Sequence, residues 1–170
     1  MDPDFKNLAD SEKTLGEDPE WFFDFQDPKK LRLSVPLQID GVVVEGLYLE
    51  GHCPADNQDI DVTMNLSYKP ARGLSGALYR LDWNPLHTHG NKGLVSGEWK
   101  YKAISGTHRH PFQENFTKGV KFMFDNNLPI AFPVTNPLPN FRDMLHYIGQ
   151  LFRITDIQRI SPPPGTQRLV

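Results

Sequence analysis

Two His-x-His pairs hold the residues of this 170-residue chain that are best suited to chemistry. The pairs are His87/His89 and His108/His110, and 18 residues separate them. Successive side chains of a β-strand point to opposite faces, so both rings of a pair lie on one side, and Arg109 lies on the other. Two pairs that meet across an antiparallel ladder would form a patch of four imidazoles. Such a patch can hold a metal ion or transfer protons.

A charged pair lies just upstream of the histidines. Residues 76–83 alternate in a way that puts Arg80 and Asp82 on one face of a strand. If that face meets the histidines, one imidazole can take a proton from a ribose 2′-hydroxyl while a second, protonated one donates to the leaving oxygen. Arg80 would then neutralise charge on the phosphorane, and Asp82 would orient a ring. Such a site could cleave a phosphodiester bond, and its candidate catalytic residues are Arg80, Asp82, His87, His89, His108 and His110.

A metal site is an alternative use of the second pair. Glu114 follows His110 by four residues and Gly119 comes five later, a spacing that resembles the first half of the metal motif of cupin barrels. The resemblance implies a divalent ion (Zn, Mn, Fe or Ni) held by His108, His110 and Glu114. The second cupin motif lacks a matching histidine, because His146 falls in a predicted helix. In a third interpretation the histidines are ordinary polar surface groups.

Composition and charge bound the function classes. The net charge of −3 provides no overall attraction to nucleic acid, so any RNA contact would be local. Cys53 is the single cysteine, which excludes an intramolecular disulfide and a cysteine-based zinc cluster. The sequence contains neither a signal-like apolar start nor an apolar run of about 18 residues. These features predict a soluble cytoplasmic protein with no membrane partner.

The chain divides into three predicted parts. Residues 1–20 are acidic and polar, which predicts a flexible arm, and residues 161–170 are predicted to form a proline-rich tail. Residues 21–160 are long enough for a single domain with its own core. The aromatic cluster at 21–25 is expected to anchor on that domain. Alternatively, the arm and the cluster bind a cognate protein or a second copy, as in a non-catalytic antitoxin, inhibitor or complex subunit.

Hydrophobic periodicity predicts the fold class. Apolar residues alternate over 31–37, 41–49, 59–66 and 76–83, which is typical of half-buried strands, and the first two runs are predicted to form a hairpin. Apolar residues recur every three or four positions over 140–152, which predicts an amphipathic helix. The predicted domain is α+β: an antiparallel sheet of about five or six strands, open or curved into a half-barrel, with this C-terminal helix packed on one face.

The motifs of the second half also resemble a loosely defined group of small bacterial proteins. That group has a strand ending in Arg-x-Asp, a turn with Pro and His, and a second turn with His-x-His; some of its members are similar to the toxins of toxin and antitoxin pairs. Here the matching segments are Leu78 to Asp82, Pro85 to Asn91, and Gly106 to His110. The resemblance implies an RNA-directed toxin or defence protein. Its functional residues would be Arg80, Asp82, His87, His108 and His110.

Overall fold

Alternating apolar and polar residues build a sheet with one buried and one polar face. The computed structural model describes residues 3–165. The strands are β1 (Thr14–Leu15), β2 (Trp21–Phe23), β3 (Lys30–Ile39), β4 (Val42–Pro54), β5 (Val62–Tyr68), β6 (Gly76–Trp83), β7 (His89–Gly90), β8 (Ala103–Ile104), β9 (His108–His110) and β10 (Phe132–Pro133). The helices are α1 (Phe5–Asp10), α2 (Phe112–Phe116), α3 (Val120–Asp125) and α4 (Phe141–Phe152), followed by a 3₁₀ turn at Ile157–Arg159.

The main sheet is antiparallel and open. It has eight strands in the order β1-β3-β4-β5-β6-β9-β10, with β2 also paired to β3, while β7 and β8 form a separate ribbon. The predicted α+β class is confirmed. The sheet has more strands than the predicted five or six, because β1, β2, β9 and β10 are too short to show a periodicity. Its strand order follows an open path that begins at β1 and ends at β10.

The β3–β4 hairpin arises from a tight turn. Asp40 and Gly41 both have positive φ angles, 51° and 77°, which favours glycine and tolerates aspartate. Leu31 and Leu33 of β3 are almost completely buried, whereas Arg32 between them is exposed. The hairpin predicted from the alternation is confirmed, and its second strand continues to Pro54.

Helix α4 covers the apolar face of the sheet, as predicted. The Asn140 side chain caps its N-terminus by accepting a hydrogen bond from the Asp143 amide at 2.9 Å. At the opposite end, the Phe152 ring packs 5.9 Å from the ring of Tyr79 on β6. The chain leaves the helix through Arg153, whose φ is 57°. The helix thereby closes the core on the side of the sheet away from the histidines.

The N-terminal region packs on the domain, although residues 1–20 are predicted to form a flexible arm. Helix α1 buries Phe5, Leu8 and Ala9, and the Phe5 ring packs edge-on against Phe124 at 5.4 Å. The apolar residues of this single short helix are too few to reveal their periodicity in an acidic segment. Residues 161–165 of the predicted tail lie against the domain, where the Trp21 indole donates to the Ser161 carbonyl at 3.0 Å. Residues 1–2 and 166–170 lie outside the described part of the chain.

Lys13 joins the N-terminal segment to the end of α4. Its ammonium group is buried and donates to the carbonyl oxygens of Ala9 at 3.1 Å, Ser11 at 2.6 Å and Phe152 at 3.1 Å. Two of these carbonyls belong to the last turns of α1 and α4, where a cation is favourable. Burial, aided by the nearby charge of Arg153, lowers the pKa of Lys13 to about 8.

This pKa makes stability depend on pH. Because the folded pKa lies below the unfolded value, the unfolded chain binds more protons between pH 8 and 10.5, and stability rises with pH across that window. We expect the free energy of unfolding to rise by about 1 kcal/mol between pH 7 and 9. Urea unfolding at both pH values measures this rise, which Lys13→Met should abolish. An identical rise in the variant would assign the effect to other groups.

The thiol of Cys53 lies in the hydrophobic core. Cys53 is buried, and burial raises the pKa of its thiol to about 12, so the side chain behaves as a small apolar group.

Within residues 3–165, α4 is the longest helix at 12 residues, whereas an apolar helix that crosses a bilayer needs about 20. No described helix therefore has the length and apolar character of a membrane span.

Candidate metal centre

The pairing of β6 with β9 creates the site. Asp82 lies directly opposite His108, and Arg80 lies directly opposite His110. Residues opposite each other in an antiparallel pair point to the same face, so these four side chains share the polar face of the sheet. Arg109 alternates to the other face, as predicted, where its charge acts on Tyr79 of β6 and Tyr147 of α4.

The third imidazole comes from β7, in the connection that follows β6. His89 lies with its ring centroid 4.8 Å from that of His110 and 5.5 Å from that of His108. One ligand atom from each of these three rings lies within 4.8 Å of the others. His108 and His110 are 3% and 1% exposed, and His89 is half-buried. This cluster, His89/His108/His110, is called the histidine trio below.

Two predicted site residues lie outside the trio. His87 is exposed on the loop, because the segment around it is not a strand and the expected alternation does not apply. Glu114 is exposed on α2, because Pro111 ends β9 and starts a helical turn that carries the carboxylate away. The structure thus does not assemble the predicted set of His108, His110 and Glu114. The carboxylate beside the rings is that of Asp82.

Asp82 is held in a fixed orientation. Its Oδ1 atom accepts hydrogen bonds from Thr63 Oγ1 at 2.8 Å and from Arg80 Nε at 2.9 Å. Its Oδ2 atom lies 3.1 Å from Nε2 of both His108 and His110. One oxygen is therefore saturated by the protein, and the other faces the two buried rings.

The other ring nitrogens face backbone carbonyls. Nδ1 of His108 lies 2.8 Å from the Gly106 oxygen, and Nδ1 of His110 lies 2.6 Å from the Leu128 oxygen. A carbonyl can only accept, so each Nδ1 carries the proton and a neutral ring has a bare lone pair at Nε2. Both lone pairs then point at a carboxylate oxygen. This arrangement is favourable only if the rings are protonated or a cation lies between these atoms.

Burial acts against protonation of His110 and His89. It lowers the pKa of His110, although the hydrogen bond and charge of Asp82 oppose this shift. It also lowers the pKa of His89, aided by the charge of His110. Burial alone would raise the pKa of Asp82, but hydrogen bonds from His108 and His110 in their protonated form and the charge of Arg80 outweigh it and hold that pKa well below its usual range. The site therefore favours an ionised carboxylate.

A short segment, residues 128–131, supports the trio from outside. His110 Nδ1 donates to the Leu128 carbonyl, and His89 Nε2 lies 3.0 Å from the Pro129 carbonyl. The buried Asn115 side chain pairs with both the amide and the carbonyl of Ile130, each at 2.9 Å. Asn91 does the same for Ala131, at 2.8 Å and 3.0 Å. These bonds fix the carbonyls that orient the rings, as outer partners of metal-binding histidines do.

Sequence reasoning missed this support. The acceptors are backbone atoms, and a single buried asparagine has no periodicity that would distinguish it from a turn residue. Thr63 carried a partial signal, because alternation along β5 places it on the polar face with Asn65.

Loss of the hydrogen bonds that the Asn91 side chain makes to Trp99 and Ala131 should destabilise the protein. Asn91→Leu removes the side chain that donates to the part-buried Trp99 carbonyl and that pairs with the buried carbonyl and amide of Ala131. We expect a loss of about 2–3 kcal/mol in the free energy of unfolding, measured by chemical denaturation. The exposed Asn57, replaced by leucine in the same way, should stay within about 0.5 kcal/mol of wild type. An equal loss of unfolding free energy in both variants would mean that the hydrogen bonds of Asn91 do not stabilise the protein.

Comparison with protein-family models, with curated proteins and with solved structures finds no match to this chain. The resemblance to toxin-like bacterial proteins therefore stays a prediction. Any statement about function depends on the chemistry of the site itself.

The predicted aromatic anchor is only partly packed. The Trp21 ring lies 6.3 Å from that of Phe141 on α4, so it anchors β2 to the core. Phe22, Phe23 and Phe25 are 38%, 60% and 97% exposed. A protein partner or a second copy at this surface stays a prediction.

Proposed function

We propose that this protein binds a divalent transition-metal ion through the histidine trio and Asp82, as the centre of a metal-dependent hydrolase. One observation carries the proposal: the two buried rings use Nδ1 on carbonyls and turn Nε2 toward the single free oxygen of Asp82. Lone pairs and a negative charge that converge in a buried site match a cation better than they match one another.

The donor set favours a transition-metal ion such as zinc over magnesium or calcium. Imidazole suits Zn, Cu, Fe and Ni, whereas Mg and Ca prefer sites made entirely of oxygen. A tetrahedral zinc site has bonds of about 2.0–2.2 Å, so its ligand atoms lie roughly 3.3 Å apart. The 3.1 Å separations between Asp82 and the two rings are near this value. The ligand atoms of the trio, which lie up to 4.8 Å apart, would move closer together by up to about 1.5 Å around the ion.

The residues around the ion suggest hydrolysis. A bound zinc ion supplies a Lewis acid and lowers the pKa of a coordinated water. Arg80 lies beside Asp82 with its side chain 26% exposed, which puts a cation where an anionic substrate could approach. RNA cleavage stays a candidate reaction at this centre.

Elemental analysis by mass spectrometry of untagged protein tests the metal centre. We expect close to one zinc ion per chain after zinc loading and desalting, and its loss in the His108→Ala/His110→Ala variant. The matched control replaces His87 and His146 by alanine; these two histidines are exposed and lie outside the trio. Metal that stays in the first variant, or that leaves both variants equally, would overturn the assignment.

Acid and base cleavage of RNA without a metal is the second candidate. The proximity of Arg80 to the trio favours it, since the guanidinium could stabilise charge on phosphorus. Burial of both β9 rings disfavours it, because a general base must come within hydrogen-bond reach of the substrate. Cleavage of a labelled RNA that survives EDTA but fails in His108→Ala/His110→Ala would select this mechanism. Cleavage that EDTA abolishes and zinc restores would select the metal.

A further inference from the structure

A groove crosses the polar face of the sheet next to the metal centre. It has a volume of about 400 Å³ and is lined by residues of β2 to β5, including Phe22, Arg32, His52 and Asn65, and by Lys69 just after β5. His52 lies opposite Thr63, which lies opposite Asp82, and Asn65 lies directly opposite Arg80. The groove and the metal centre are therefore neighbours on the same rungs of the sheet. Adjacent strands are about 4.8 Å apart, so Arg80 forms the border between them.

Several polar groups at this border have no hydrogen-bond partner among residues 3–165. Asn65 Oδ1 is buried and has no hydrogen-bond partner among residues 3–165. In that part of the chain, Arg80 uses only Nε, on Asp82, and makes no hydrogen bond through its two Nη groups. The His52 ring likewise makes no hydrogen bond to a described residue, and burial together with the charges of Arg32 and Arg80 lowers its pKa. A buried acceptor without a partner is costly unless water or a ligand supplies the donor.

The charges of the groove indicate what kind of ligand would fit. Arg32, Lys69 and Arg80 pair with Asp24, Glu50 and Asp82, so the face is close to neutral without a metal. A divalent ion at the centre would make it positive where Arg80 presents its free N–H groups. The outer end of the groove is bordered by the half-exposed ring of Phe22. An anionic group of the ligand could accept from the Nη groups of Arg80, and a ligand hydroxyl could donate to Asn65 Oδ1.

We propose that the groove binds a phosphorylated sugar, with phosphate oxygens at Arg80 beside the metal centre and a sugar hydroxyl donating to Asn65. This inference rests on the proposed metal centre and adds the substrate class. The same chemistry occurs in a free sugar phosphate and in the backbone of an RNA chain. Contact with the Phe22 ring distinguishes an RNA chain from a free sugar phosphate. It lies four strands from Asp82, roughly 19 Å, so a small sugar phosphate at Arg80 does not reach it, whereas an extended RNA chain can stack a base on its ring.

Calorimetric titration of zinc-loaded protein with ribose 5-phosphate, and with a single-stranded hexauridylate, tests the groove. We expect at least one probe to bind at millimolar concentration or tighter, and Asn65→Leu to weaken it at least tenfold. The variant keeps every proposed metal ligand, so its zinc content should match wild type. Asn57→Leu is the matched control and should bind the probes like wild type. Failure of both probes, or equal binding by Asn65→Leu and wild type, would overturn the groove assignment.

Two measurements on the same samples separate the linked proposals. If zinc content is stoichiometric but no probe binds, the metal centre stands and the groove proposal fails. If the protein takes up no zinc but a probe binds in an Asn65-dependent way, the groove stands and the metal proposal fails. Phe22→Ser then identifies the source: a loss of at least fivefold for hexauridylate alone supports RNA, and no change for either probe supports a free sugar phosphate.

Discussion

Zinc should raise the free energy of unfolding by about 3 kcal/mol when the free ion is present at one hundred times its dissociation constant. The physical reason is linkage: the trio and Asp82 are assembled from β6, β9 and the loop at His89, and the unfolded chain does not hold these groups together. For a chain of this length, the corresponding rise in Tm is about 5–10 °C. Thermal unfolding of protein treated with EDTA, followed by addition of zinc, measures it.

Two controls make this result specific. Magnesium should produce no shift, because three imidazoles are poor ligands for that ion. The His108→Ala/His110→Ala variant should respond to zinc by less than about 1 °C, since half of the proposed ligands are gone. A rise in Tm of the same size in wild type and in this variant would mean that zinc stabilises the protein from another place.

Asp82→Ala should have the largest effect of any single substitution at the site. The carboxylate accepts from Thr63 and Arg80 and faces His108 and His110, and all of these except Arg80 are buried. Breaking a buried charge network on one side leaves its partners uncompensated, which costs about 3–5 kcal/mol. Chemical denaturation measures the loss. Asp125→Ala removes only an exposed pair with Lys121 and should change stability by less than about 0.5 kcal/mol.

Asp82→Asn separates the structural role of this side chain from its metal role. The amide oxygen can still accept from Thr63 and Arg80, while the amide N–H₂ group can donate to the two Nε2 lone pairs. We therefore expect the metal-free variant to remain within about 1 kcal/mol of wild type, because its hydrogen bonds are satisfied. Zinc affinity should fall at least tenfold, measured by competition with a chromophoric chelator. Equal zinc affinity in Asp82→Asn and wild type would remove Asp82 from the ligand set.

Much of the fold could be predicted from the chain because its information is local. A period of two along β3 to β6 marks which side chains are buried, and Asp40-Gly41 marks the turn between two of these strands. A period near 3.6 with an asparagine cap marks α4. Strands of two or three residues such as β1, β9 and β10 have no measurable period, so the full width of the sheet was beyond such reasoning. The packing of α1 was missed for the same reason.

The candidate site likewise has features that local sequence predicts and features that depend on the tertiary structure. Alternation by itself determined that Arg80 and Asp82 share a face, that His108 and His110 share a face, and that Arg109 points away. Only the tertiary structure decided the register that puts Asp82 opposite His108. It also decided that His89 joins the site while His87 and Glu114 remain exposed.

The physical reason is the range of the interactions involved. Side-chain alternation follows from the backbone of one strand, so it is contained in neighbouring residues. Register depends on contacts between residues far apart in the chain, and the burial of a loop depends on what covers it. Here the cover is the segment 128–131, clamped by Asn91 and Asn115 across 40 and 15 residues of chain. The sequence alone determined which residue types were available for chemistry and on which strand faces they lay; the tertiary structure alone decided which of them meet.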